Sequence, residues 1–113
     1  MKLKRESLVE VKRLLSRYSE ENIMFNEPHF TERLLLREGN REEVIHLLLN
    51  PDNLVYVESR TETRGISYTL YFDISNTRTV IIPLVFRTKS LYIITYIQEY
   101  KPWIRLLKKK RRI

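Results

Sequence analysis

The 113-residue chain has room for one domain, not for two self-sufficient cores. At 42% hydrophobic it holds enough apolar residues for a core and too many for intrinsic disorder. Cysteine is absent, which excludes disulfides, thiolate zinc sites and a cysteine nucleophile. Two histidines are too few for a metal site built mainly from imidazoles, so no metal or cofactor is expected. No apolar run approaches the ~20 residues of a membrane-spanning helix; the longest, Val80 to Phe86, is interrupted by Pro83. The basic opening Met1-Lys2-Leu3-Lys4-Arg5 leads into an amphipathic segment rather than the apolar stretch of a signal peptide. A soluble cytoplasmic domain with no membrane partner is therefore expected.

Lysine and arginine total 21 against 14 acids, a formal charge of +7. All the acids lie between Glu6 and Glu99, and residues 1–100 balance to zero. The whole excess belongs to Lys101, Arg105, Lys108, Lys109, Lys110, Arg111 and Arg112. A neutral body with a cationic end suits an anionic partner, nucleic acid or an acidic protein, because clustered cations gain affinity for phosphates by counterion release. The alternative is a solubilising tail.

Leu8, Val11, Leu14, Leu15 and Tyr18 recur at helical spacing, which predicts a helix over Leu3 to Tyr18. Ile23-Met24-Phe25 reads as a short edge strand. A second helix is expected from about Pro28, carrying Phe30, Leu34 and Leu35 and stopping at Gly39 in the left-handed position. Asn40 and Glu43, at capping-box spacing, open a third helix that closes at Asn50-Pro51. The period then changes to two. Leu54–Val57 reads as a strand, and Ile66 to Ser75 alternates as a half-buried strand. Ser75–Arg78 is a hairpin turn, and Thr79–Phe86 and Leu91–Ile97 are strands apolar on both faces. Pro83 cannot donate to a ladder, so its strand is at an edge or bulged there. Residues 101–111 form a basic helix with an apolar stripe of Trp103, Ile104 and Leu107. The expected architecture is α+β: an antiparallel four-strand meander with helices on one face, plus N- and C-terminal helices. One domain spans 1–113, with a helix over 1–20, a core over 23–98 and a basic helix or tail over 101–113. The doubly apolar strands need cover on the second face, from a terminal helix or from another copy in a homodimer.

The run from Ile23 through Pro28-His29 to Arg33, then Arg37-Glu38-Gly39-Asn40-Arg41-Glu42-Glu43-Val44 and Asn50-Pro51, is followed by a tyrosine-bearing meander ending in Ile93-Ile94-Thr95-Tyr96. This pattern, over roughly residues 23–98, resembles the small domains grouped with the RelE and BrnT toxins. The resemblance implies a small antiparallel sheet backed by helices, an RNA-cleaving surface and an acidic antitoxin partner. By motif His29, Arg33, Arg37, Thr95 and Tyr96 correspond, although bulky Phe30 stands where the pattern has a small residue.

Metal-independent RNA cleavage needs a base, an acid and cations around one phosphate. His29, in a first helical turn, suits proton transfer, or is a structural or capping residue. Arg33 and Arg37, four apart on one helix, share a face and grip a phosphate, or pair with neighbouring acids. His46 reads as a surface or boundary residue. Arg87 and Lys89 fall in the turn between the last two strands, where they meet RNA or simply solubilise the turn. Tyr68, Tyr71, Tyr92, Tyr96 and Tyr100 stack bases or pack the sheet. Trp103 reads as a docking anchor for the terminal helix. The catalytic candidates are thus His29, Arg33, Arg37 and Arg87. The binding candidates are Lys89, Tyr96, Lys101, Arg105 and Lys108 to Arg112. Three functions follow: a toxin-type ribonuclease held by an antitoxin, a non-catalytic nucleic-acid-binding protein of viral or mobile-element type, and a structural homodimer.

Overall fold

The computed structural model describes residues 3–63 and 65–110. In chain order the elements are strand β1 (Leu3–Arg5), helix α1 (Leu8–Leu15), strand β2 (Ile23–Phe25), and helices α2 (His29–Leu36) and α3 (Arg41–Leu49). Strands β3 (Leu54–Glu62), β4 (Gly65–Ser75), β5 (Arg78–Phe86), β6 (Leu91–Ile93) and β7 (Ile97–Glu99) follow, then helix α4 (Trp103–Lys110). The fold is α+β, and its strands join into one mixed sheet, with β1-β3-β4-β5-β6-β2 in order and β7 also on β5. No helix among the described residues is long and apolar enough to cross a membrane.

The sheet differs from a simple four-strand meander in three places. Leu3–Arg5 is not the start of the first helix: it pairs antiparallel with β3, Arg5 opposite Glu58. Ser7 then starts α1 by accepting a hydrogen bond from the Glu10 amide. At the other edge β2 runs parallel to β6. The expected last strand is broken in two. Leu84–Phe86 pair with β6 and Thr79–Ile81 pair with β7, with the register shifted by one residue between them. Ile94-Thr95-Tyr96 fills the break opposite Ile82-Pro83 as a bulge. Pro83 explains it. Its carbonyl accepts from the Ile94 amide at 2.9 Å, so its nitrogen, which has no hydrogen, faces the same neighbour.

Period two sorts the strands into two faces. One carries Val57, Leu70, Phe72, Val80, Ile82, Leu84, Leu91 and Ile93, buried beneath Val11 and Leu15 of α1, Phe30 and Leu34 of α2, and Val44, Leu47 and Leu48 of α3. The other carries Tyr56, Glu58, Tyr71, Thr79 and Ile81, and α4 lies along it, contacting β4. The Thr79 hydroxyl anchors the approach to α4 by donating to the Lys101 carbonyl at 2.8 Å. Helix α4 therefore supplies cover for the second face from within the chain.

Helix α2 ends in a Schellman turn, with the Gly39 amide on the Leu34 carbonyl at 2.7 Å and the Glu38 amide on that of Leu35 at 3.3 Å. Glu38, not Gly39, takes the left-handed conformation, at φ 52°. Gly39 serves close packing: a Cβ there would stand 2.6 Å from Leu34 Cδ1 and 2.7 Å from Tyr96 Cε1. Glu38→Gly is therefore expected to stabilise the protein. The roughly 1–2 kcal/mol relieved at a left-handed residue exceeds the roughly 0.5–1 kcal/mol entropic penalty of glycine. Thermal melting checks this as a rise in midpoint.

Candidate nucleic-acid interface

Helix α2 carries three of the basic candidates. His29 opens it, half-buried, and Arg33 is exposed one turn on. Arg37 at its C-terminal end turns inward and donates from Nη1 to the Tyr96 carbonyl. Arg37 therefore holds the bulged segment against α2. Beside His29, the Glu27 carboxylate accepts from the Thr31 hydroxyl and amide and faces Arg41 at 3.4 Å. The Thr31 hydroxyl chiefly, with its amide and Arg41, holds the Glu27 carboxyl below the usual range. Arg41 in turn lies over Phe25, 4.5 Å from the ring centroid. These contacts fix the start of α2.

Arg87 and Lys89 lie in the turn between β5 and β6. The Arg87 guanidinium stacks 4.0 Å from the Tyr92 centroid, and its carbonyl accepts from the Tyr18 hydroxyl. With Arg17 they border an open groove of about 680 Å³ floored by Leu14, Tyr18 and Phe86. This turn precedes the Leu91 end of β6, whereas His29 follows the Phe25–Ile93 pairing at the opposite end. The structure thus places Arg87 and His29 at opposite ends of the three-residue β6, and commits Arg37 to the Tyr96 carbonyl. Tyr96 is corrected outright. It is wholly buried, its ring in the core and its hydroxyl on Gln98 Oε1 at 3.1 Å, so it offers no face to a base.

The terminal cations are arranged differently. In α4, half-buried Trp103, Leu106 and Leu107 sit at i, i+3 and i+4, whereas Ile104, expected in that stripe, is exposed. Lys101, just before the helix, and Arg105 and Lys108 within it are exposed. Lys109 and Lys110 continue the helix; Arg111 and Arg112 lie outside the described residues. Between α4 and the β1–β3 edge runs a groove of about 230 Å³, lined by Arg5, Tyr56, Trp103, Ile104, Leu107 and Lys108. Arg5 lies 5.5 Å from the Tyr56 centroid, and Tyr71 meets Tyr56 edge-on at 5.5 Å. Behind them the buried Glu58 carboxylate accepts from the Tyr71 hydroxyl at 3.2 Å.

Arg5 and Tyr56 were not legible as site residues. Lys4-Arg5 reads as the polar start of a helix, and only its pairing with β3 brings Arg5 to Tyr56. Among the described residues, no group of three or more His, Asp or Glu converges as metal ligands would. No family model matches the chain, and neither a curated protein nor a solved structure shows significant similarity to it.

Proposed function

We propose that this protein binds nucleic acid through the outward side of α4 and does not cut it. The supporting observation is the division of labour in that helix. Its apolar side packs on the sheet, leaving Lys101, Arg105 and Lys108 exposed beside exposed Arg5, and no acid follows Glu99. Such a surface gathers phosphates by counterion release and reads no sequence by itself. The candidates for proton transfer and phosphate charge do not support cleavage equally: Arg37 is engaged by Tyr96, and Arg87 lies at the far end of β6 from His29.

The test is salt dependence. Lys101→Gln, Arg105→Gln and Lys108→Gln together should flatten the slope of log affinity against log salt by roughly 0.7–0.9 for each phosphate no longer neutralised. Glutamine keeps length and helix propensity, so α4 stays docked. An unchanged slope sinks the proposal. RNA held with the protein in chelator should be recovered intact. Cleavage that disappears in His29→Ala or Arg33→Ala would instead support a toxin-type, metal-independent endoribonuclease.

A further inference from the structure

Resting on that reading, we infer that the groove between α4 and the β1–β3 edge receives one unpaired base of a single strand, with its flanking phosphates on Arg5 and Lys108. Four observations combine here. The groove is walled by two aromatic residues, Tyr56 from β3 and Trp103 from α4. It has a cation on each side, Arg5 from the strand and Lys108 from the helix. At about 230 Å³ it lies below the ~300–1,000 Å³ of drug-sized pockets, which fits one ring system and not a dinucleotide. Exposed Lys101, just before α4, and exposed Arg105 within it add further cations to the same segment.

The chemistry selects a base rather than an apolar side chain. Every nucleobase has a π-face that stacks on Tyr or Trp, and its backbone brings anions to either side. A paired base is already stacked within its duplex, so duplexes are left with the charge interactions alone. The Arg5–Tyr56 stack is itself part of the device, since it holds the guanidinium at the groove mouth before any strand arrives.

Trp103 is the only tryptophan, so its fluorescence reports on the groove. The full chain is titrated with oligouridylate and with an abasic tetrahydrofuran-phosphate oligomer of equal length. Oligouridylate should quench Trp103 and bind about tenfold or more tightly than the abasic oligomer. Tyr56→Leu should lose that advantage, and Tyr56→Phe, which keeps a ring for both the base and Arg5, should keep it. Equal quenching and affinity for both oligomers overturns the inference, as does a folded Tyr56→Leu that retains the preference. In either case the charge-based reading survives. Failure of both oligomers to bind the parent protein removes that reading too.

Discussion

Replacing Tyr96 with alanine is expected to lower stability by about 3–5 kcal/mol, the range for deleting a buried aromatic ring. The ring is fully buried among α2, α3 and the sheet, and Gly39 is shaped around it, with no room for a Cβ. Its hydroxyl donates to Gln98, whose amide in turn donates to the Arg37 carbonyl at 3.0 Å, and the Arg37 guanidinium binds the Tyr96 carbonyl. Burial pushes the phenol above its ordinary value, so it remains a neutral donor. Alanine would open a cavity and loosen the bulge that joins β6 to β7. Tyr96→Phe keeps the ring and removes the hydroxyl's hydrogen bonds to Gln98 and from Arg78, for a loss of about 0.5–1.5 kcal/mol each. Urea unfolding of the two variants measures both. A stacking role makes the opposite forecast, unchanged stability with weakened nucleic-acid binding, and that outcome would refute the burial argument.

Tyr96 also shows where sequence stops being informative. Leu91 to Ile97 reads as one strand, and in an unbroken ladder Tyr96 falls on the same face as Tyr92, away from Leu91 and Ile93. The one-residue shift between β6 and β7 flips every later side chain, sending Tyr96 into the core. Its cause, Pro83, is visible in the sequence, but which neighbour would have to bulge is a matter of pairing. Features settled by local chemistry were legible. These include a strand over Ile66 to Ser75, the Ser75–Arg78 turn, and the Asn40 cap that accepts from the Glu42 and Glu43 amides. Burial along β4, in contrast, does not alternate, and Ile104 of the expected α4 stripe is exposed. Three-residue strands were harder, because neither β1 nor β7 has enough alternation to announce a partner far away in sequence. Lys101, Arg105 and Lys108 could be picked from charge alone, whereas the aromatic half of their groove depends on β1 reaching β3.

Glu43 carries the same lesson into energetics. Its spacing from Asn40 suggests a carboxylate turned back on the helix start, yet it reaches β5 instead. Arg78 donates to it through both terminal nitrogens, at 2.9 and 2.6 Å, and through Nε to Gln98. The pair ties α3 to the β4–β5 hairpin and to β7, with each side chain only about a quarter exposed, 25% for Arg78 and 28% for Glu43. Arg78→Ala is therefore expected to cost about 1.5–3 kcal/mol, the range for hydrogen bonds to charged groups. Most of that loss comes from leaving Glu43 partly desolvated and unmatched, not from the worth of the attraction itself. The double variant Glu43→Leu with Arg78→Met separates the two contributions, because it removes both charges and fills their space. It should be more stable than Arg78→Ala alone, by denaturant midpoint at constant slope. If the double variant is no better, the bidentate pair contributes net stability, and the docking of α3 depends on charge rather than on the Val44, Leu47 and Leu48 face beneath it.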